Sequence, residues 1–145
     1  MKTLQMLAAT LALGFSASAV SSELLVTQAD TSAKSGQRSV SIDIVSDGNV
    51  SGFNFFVRTG QLKLGSVDLS ACVEALPKNF DGECRQGLEG VYFYALAKGR
   101  EALPAGLNPV GKLRLPAGVE VVGIEELAMG DIEGNAIDAS PRLAK

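Results

Sequence analysis

The chain has 145 residues and a formal net charge of −3, and it contains no His, no Trp and only two Cys. This length fits one domain. Without His, the chain alone cannot form a Ser-His-Asp triad, a Cys-His pair or a His-ligated zinc site, and two Cys cannot form a four-thiolate site. The acidic balance gives no electrostatic reason to expect nucleic acid or an anionic membrane surface as a partner. We therefore expect a protein that is not an enzyme and that uses no cofactor or metal.

The first nineteen residues have the pattern of a signal peptide. Lys2 supplies a positive charge, residues 4–15 form an apolar run, and residues 16–19 offer an Ala-x-Ala cleavage pattern. A short membrane anchor is the alternative, but a span needs about 20 apolar residues. We therefore predict cleavage after Ala19, which leaves residues 20–145 as a single secreted or periplasmic domain without a membrane span.

Cys72 and Cys84 are the only pair available for a disulfide bond. Export places the chain where a disulfide is stable, so we predict a Cys72–Cys84 bond. A redox-active pair is the alternative, but the spacing is longer than Cys-x-x-Cys and no His lies nearby.

The domain shows the alternation and turn spacing of an all-β protein. Val40, Ile42 and Ile44 alternate with polar residues, which indicates a half-buried strand. Phe53, Phe55 and Val57 should likewise share a core face. Strands are predicted at residues 23–28, 39–45, 52–58, 91–97, 110–115, 119–124 and 136–140.

The remaining segments are less regular. Residues 62–69 are a possible further strand, and residues 70–76 fit either a helical turn or a strand. Loops are predicted at 77–87 and 98–109. Residues 125–129 either continue the preceding strand or bulge, and the tail from residue 141 should be mobile. Eight or nine short strands predict an antiparallel β-sandwich.

Several of these segments together resemble a cohesin-type domain, the secreted nine-stranded jelly-roll sandwich related to bacterial cellulose-binding modules. The matching stretches are SGQ at 35–37, VSIDI at 40–44, VSGFNF at 50–55, VYFYA at 91–95, GKLRL at 111–115 and GDIEGNAI at 130–137. The Gly-Phe-x-Phe strand and the Asp-x-x-Gly-Asn-x-Ile ending are the most specific. The resemblance implies a noncatalytic module that recognises a partner through one sheet face.

The resemblance also implies where that face lies. In cohesins the strand matching residues 52–58 contributes to the protein-binding face, so Asn54, Phe56 and Arg58 are the first candidates. Asn54 and Arg58 could instead belong to an ordinary solvated face, and Phe56 could lie under a loop. Lys112 and Arg114 share one face of their own strand and could extend this patch, or they could protect a sheet edge by their charge.

Tyr92 and Tyr94 lie on one side of their strand and could form a sugar-stacking strip, because aromatic faces suit pyranose C–H groups. The alternative is that both rings belong to the core, which the resemblance favours. The absence of Trp counts against a flat polysaccharide-binding face.

Acidic residues offer no specific site. Asp131, Glu133 and Asn135 occupy the first, third and fifth positions of a calcium-loop pattern, but Ala136 replaces its Gly and Arg142 its final Glu. A solvated turn is therefore expected there. No pair of carboxylates has a spacing that indicates glycosidase chemistry.

Together these observations predict a secreted or periplasmic binding module for a protein partner or a polysaccharide, without a cofactor. The alternative is a structural subunit of an extracellular or surface assembly that uses its sheet edges. The sequence leaves the oligomeric state open.

Overall fold

The computed structural model describes residues 21–32 and 34–145 as two packed β-sheets. The strands are β1 (Ser22–Gln28), β2 (Arg38–Ser46), β3 (Gly52–Arg58), β4 (Phe80–Gln86), β5 (Gly90–Ala97), β6 (Gly106–Leu115), β7 (Gly123–Gly130), β8 (Ala136–Ile137) and β9 (Ala139–Ala144). One sheet has the order β6-β2-β1-β9 and the other the order β4-β5-β3-β7-β8. Every neighbouring pair is antiparallel except β1 and β9, which run parallel. The predicted all-β sandwich is confirmed. The predicted signal peptide lies outside the described residues.

The core forms between the two sheets because alternate residues of most strands are apolar. In the four-stranded sheet, β1 and β2 bury their alternate aliphatic side chains. In the five-stranded sheet, Phe53, Phe55 and Val57 point inward as predicted. The Phe55 ring stacks on that of Phe93, with centroids 5.0 Å apart. Burying each of these large side chains contributes about 1.5–3 kcal/mol. Among the described residues, no helix is long and apolar enough to cross a membrane.

A bridging segment, residues 63–76, connects the edges of the two sheets. On one side it pairs with β6, because the backbone N–H of Asp68 donates to Arg114 O at 3.0 Å. On the other side Gln86 of β4 accepts from the N–H of Val67 at 3.0 Å and donates to Lys63 O at 2.6 Å. The Cys72–Cys84 disulfide is present and attaches the segment to β4. The possible strand at 62–69 is absent, and its place is taken by turns and one isolated bridge.

The prediction of a loop at 77–87 is wrong, because Phe80–Gln86 is strand β4. The sequence of this strand lacks apolar alternation, and only Phe80 of the strand is buried. Pairing with β5 along seven residues and the disulfide hold it instead.

Three further boundaries differ from the prediction. Strand β6 begins at Gly106, inside the predicted loop. Residues 119–122 are not a strand, and β7 begins at Gly123. The predicted last strand is divided into β8 and β9. The tail is not free, since Ala139–Ala144 pairs with β1.

Candidate protein-binding face

The outer side of the five-stranded sheet carries exposed aromatic and apolar side chains. Tyr92, Tyr94 and Leu96 alternate along β5 and are 47%, 43% and 66% exposed. We call this side the aromatic face. It consists of the outward side chains of the five-stranded sheet, chiefly Asn54, Phe56, Arg58, Glu83, Arg85, Tyr92, Tyr94, Leu96, Glu125 and Glu126. The alternative that both tyrosines belong to the core is wrong, because Phe93 and Val91 take the inward positions of β5.

Phe56 points to this face but is only 5% exposed. The Tyr92 ring lies against it with centroids 4.5 Å apart, and the Arg58 guanidinium carbon lies 5.4 Å from the ring centroid on Phe56. Gly90 leaves the space that the ring needs, since a Cβ there would lie 2.6 Å from Phe56 Cζ. Phe56 therefore supports the face from below rather than offering a large contact area itself.

Arg58 pairs with two carboxylates at one end of the face. Its Nε and Nη2 donate to the two oxygens of Glu125, and its Nη1 donates to Glu89 Oε2 at 3.2 Å. The hydrogen bonds to Glu125 and Glu89 raise the pKa of Arg58. The same contact with Arg58 lowers the pKa of Glu125 below its usual value. The Arg58–Glu125 pair is therefore ionised at neutral pH.

A β-bulge in β7 positions the carboxylates beside Arg58. The register against β3 shifts between Asn54 and Phe56, and Glu126 has a φ of 55°, in the left-handed region. The side-chain amide of Asn54 donates to Glu126 O at 2.9 Å and so stabilises the bulge. As a result, the consecutive residues Glu125 and Glu126 are both exposed. The sequence analysis predicted that residues 125–129 either continue the preceding strand or bulge. They do both, since they lie within β7 and contain its bulge.

Tyr94 is held near the opposite side of the face by β4. Its hydroxyl donates to the Glu83 carboxylate, which also accepts from Arg85 Nε at 2.8 Å. The hydrogen bond to Glu83 raises the pKa of Tyr94. The bond from Tyr94, followed by that from Arg85, lowers the pKa of Glu83. The ring is therefore anchored in an exposed position.

Two hollows interrupt the aromatic face. The first, of about 270 Å³, lies at the Arg58 end. Its walls are formed by Phe56, Arg58, Gly87, Leu88, Glu89, Tyr92, Glu125 and Glu126. The second is a shallower groove of about 390 Å³ beside Tyr94 and Leu96, with a floor of small residues that includes Gly52, Ala128 and Gly130. The face thus has a charged end and an apolar end.

Lys112 and Arg114 do not extend this patch. They are exposed on β6, the edge strand of the other sheet, where the bridging segment pairs with β6 at Asp68. The sandwich core separates them from Asn54, Phe56 and Arg58. Their position at an edge strand agrees with the alternative of edge protection by charge.

Asp131 organises a turn. Its Oδ1 accepts from the backbone N–H groups of Glu133 and Asn135, both at 2.9 Å. These hydrogen bonds lower the pKa of Asp131, and the bond from Asn135 has the larger effect. Within residues 21–32 and 34–145, no group of three or more His, Cys, Asp or Glu is arranged to hold a metal ion.

The sequence analysis did not select Leu96 or Glu83, and it considered Glu89 only as a carboxylate for glycosidase chemistry, not as part of a binding face. Leu96 continues the period of two that begins at Tyr92 and Tyr94, so that signal was available. Glu83 lies on the strand predicted as a loop, and Glu89 lies in the turn before β5. Their approach to Tyr94 and Arg58 depends on strand pairing.

Comparisons with known proteins support the fold. No family model matches the sequence, and no curated protein matches it. Among solved structures, a non-cellulosomal cohesin from the archaeon Archaeoglobus fulgidus gives a TM-score of 0.58 at 10% identity, covering 87% of this chain and 93% of that one.

Two structures from Acetivibrio cellulolyticus are also similar. A type II cohesin–X–dockerin complex gives a TM-score of 0.53 at 15% identity, covering 86% of this chain and 96% of that one. A type II cohesin domain from the cellulosome gives a TM-score of 0.51 at 14% identity, covering 87% of this chain and 93% of that one. The architecture implied by the sequence resemblance is therefore confirmed: the described part of the chain is a cohesin-like β-sandwich.

Proposed function

We propose that the protein is a noncatalytic binding module that recognises a protein partner through the aromatic face. The observation that carries this proposal is the exposed row of Tyr92, Tyr94 and Leu96 beside the Arg58 ion pairs. Tyrosine and arginine are enriched among the residues that dominate protein–protein affinity. Protein interfaces also combine such an apolar centre with a polar rim.

Two further considerations support a protein partner. Strand β3, which corresponds by resemblance to a strand of the protein-binding face in cohesins, lies at the centre of the five-stranded sheet. One of the similar structures is a cohesin in complex with an X-dockerin partner.

A polysaccharide is the second candidate, because Tyr94 borders an open groove with a floor of small residues. The tyrosine hydroxyl is already bound to Glu83, and the chain has no Trp to widen the stacking surface. The protein partner is therefore favoured. The structural-subunit alternative requires free sheet edges, and the bridging segment occupies part of the edges of β4 and β6.

Export is part of the proposal. We infer that residues 1–19 are a signal peptide removed after Ala19 and that residues 20–145 act outside the cytoplasm. The Cys72–Cys84 disulfide supports this location, because disulfides persist mainly in oxidising compartments. Mass spectrometry of the protein purified from its own cells measures the mature N-terminus; an N-terminus at Met1 would contradict the proposal.

The partner is tested by capture on immobilised residues 20–145, identification by mass spectrometry, and calorimetry with the purified partner. We expect Tyr94→Ala to weaken binding by about tenfold or more. The matched control is Lys112→Glu with Arg114→Glu on the other sheet, which should leave affinity unchanged. A loss caused by the control pair and not by Tyr94→Ala would refute the assigned face. Retention on an insoluble polysaccharide that depends on Tyr94 would support the second candidate instead.

A further inference from the structure

We propose that the hollow at the Arg58 end of the aromatic face, called here the acidic pocket, receives one basic side chain, arginine or lysine, from the protein partner. This inference rests on the proposed function and specifies the chemistry of the partner. The acidic pocket is the 270 Å³ hollow between Phe56, Arg58, Leu88, Glu89, Tyr92 and the Glu125–Glu126 bulge. By the volume of liquid water it would hold about nine water molecules, which is the scale of a single long side chain.

The aromatic wall of the acidic pocket is fixed by packing. The Phe56 ring fills the space above Gly90, and Tyr92 leans against it. A Cβ on Gly87 would lie 3.3 Å from Tyr92 Cε2, so the hairpin turn also holds that ring closely. The aromatic wall is therefore in place before a partner arrives, which lowers the cost of ordering it on binding.

The charges in the pocket do not balance. Three carboxylates, Glu89, Glu125 and Glu126, face the single guanidinium of Arg58. Glu125 is occupied by two hydrogen bonds from Arg58, and Glu89 uses only Oε2. Glu89 Oε1 and the Glu126 carboxylate accept no hydrogen bond from any residue in the described part of the chain. The pocket thus contains hydrogen-bond acceptors that no donor from the described chain occupies. Its surplus negative charge would repel an incoming anion.

The rest of the face has no cation to spare for these carboxylates. Arg85 pairs with Glu83, and Lys98 pairs with Asp81 at 3.5 Å. Since each basic side chain of the aromatic face already has an acidic partner, the surplus carboxylates are available to a cation from outside. Opposite charge across an interface adds specificity and speeds association.

An organic cation fits the pocket better than a metal ion. The carboxylates of the described residues do not converge as metal ligands. Instead the pocket combines charge with apolar walls: the Tyr92 ring is half exposed, and Leu88 at the rim is 78% exposed. A lysine or arginine side chain has the matching form, an apolar stem with a charged end. Its cationic end can also lie against the Tyr92 ring.

The test uses two peptides in ¹⁵N NMR titrations of residues 20–145 with the disulfide intact. One is acetyl-Leu-Arg-Leu-amide, and the other carries neutral citrulline in place of arginine. We expect saturable shifts at the amides of residues 87–92 and 123–127 with the arginine peptide, and binding of the citrulline peptide weaker by about fivefold. High salt should weaken the arginine peptide only.

Glu126→Gln should weaken the arginine peptide by about threefold, the size of one exposed charge pair. Glu133→Gln is the matched control, because Glu133 is exposed in the turn before β8 and lies outside the pocket. Equal binding of the two peptides, shifts centred elsewhere, or an equal loss with Glu133→Gln would overturn the inference.

The inference and the proposed function can fail separately. If the purified partner binds with an affinity that depends on Tyr94 but is unchanged by Glu89→Gln with Glu126→Gln, the basic side chain is refuted and the aromatic face stands. If the arginine peptide is bound selectively while Tyr94→Ala leaves partner affinity unchanged, the pocket chemistry is supported and the assigned extent of the face is refuted.

Discussion

The two outer faces of the sandwich are built from different residues although the sheets share one core. All seven aromatic residues in the described part of the chain lie on β3, β4 or β5 of the five-stranded sheet. Among the described residues, the outer face of the four-stranded sheet has no aromatic side chain and mixes hydroxyl side chains with charged and aliphatic ones, as in the row that pairs Lys112 with Ser41 and Ser41 with Thr27 and in the exposed Leu107. Burial in the core explains the inward rings of the five-stranded sheet, but it does not explain why two tyrosines are exposed on its outer face.

This difference in composition indicates that the two outer faces have different roles. In its described strands, the four-stranded face mixes polar, charged and aliphatic side chains without a row of exposed rings. On the aromatic face, polar contacts hold the rings in place: Glu83 holds the exposed Tyr94, and Arg58 lies over the buried Phe56. Exposed apolar groups that are rigidly held are typical of interaction sites.

The strongest way to break the aromatic face is Gly90→Ala. A Cβ at this position would lie 2.2 Å from Val57 O and 2.6 Å from Phe56 Cζ, so β3 and β5 must separate locally. We expect the free energy of unfolding to fall by about 3 kcal/mol or more, the upper range for overpacking. Urea unfolding measures it. Gly123→Ala is the control, since a Cβ there meets nothing within 4 Å; a similar loss in both variants would contradict this explanation.

Removing the disulfide should affect the two sheets alike. The bridging segment contacts both β4 and β6, so Cys72→Ala with Cys84→Ala should lower the free energy of unfolding by about 3 kcal/mol, the value expected for a short closed loop. Hydrogen exchange should increase at Asp68, Lys112 and the amides of β4, while β1 and β3 remain protected. Faster exchange confined to one sheet would show that the segment supports only that sheet.

Replacing Arg58 by Met should change the electrostatics of the aromatic face while keeping an apolar stem over Phe56. The pKa of Glu125 is lowered mainly by Arg58, so it should rise toward its ordinary value in the variant. In the wild type, the stability from this pair is present above the ordinary carboxyl pKa and is lost as pH falls through the lowered one. NMR titration of the Glu125 carboxyl carbon follows the shift. Arg114→Met on the other sheet should leave it unchanged.

The smallest effect concerns the ionisation of Tyr94. Its pKa lies above the usual value of about 10 because its hydroxyl donates to Glu83. The hydrogen bond stabilises the fold below that usual value, and its contribution is lost as pH rises through the raised pKa. Because the chain has no Trp, the ultraviolet absorbance of tyrosinate in Tyr92→Phe isolates Tyr94. Adding Glu83→Gln should lower the pKa; an unchanged pKa would mean that the Glu83 contact does not persist in solution.

Strands with an alternating apolar pattern could be predicted from the sequence. Strands that are held mainly by pairing with their neighbours could not. The bounds of β3 were predicted as observed, because its inward Phe and Val residues alternate without interruption. Strand β4 was missed because its sequence has turn-forming residues and few apolar positions, and it is held by β5 and the disulfide. The part of strand β9 after residue 140 was missed because a short terminal tail was expected to be mobile, whereas pairing with β1 orders it.

The candidate site was predictable only in part. Side-chain alternation correctly directed Asn54, Phe56 and Arg58 away from the core. It could not show that Tyr92 covers Phe56, since that contact joins two strands separated by more than thirty residues. Nor could it separate Lys112 and Arg114 from this patch, because sheet membership depends on topology.

The parallel pairing of β1 and β9 has a mechanical consequence. Ser22 lies beside Ala139, and Thr27 lies beside Ala144, so the chain enters β1 at one end of the sheet and leaves β9 at the other. A pulling force applied through the residues before Ser22 and after Ala144 would therefore act along both strands in opposite directions. It would load their hydrogen bonds together, in shear, rather than one after another as in unzipping. A β-sandwich with this arrangement bears tension along its length through β1 and β9, and this loading leaves both outer faces uncovered.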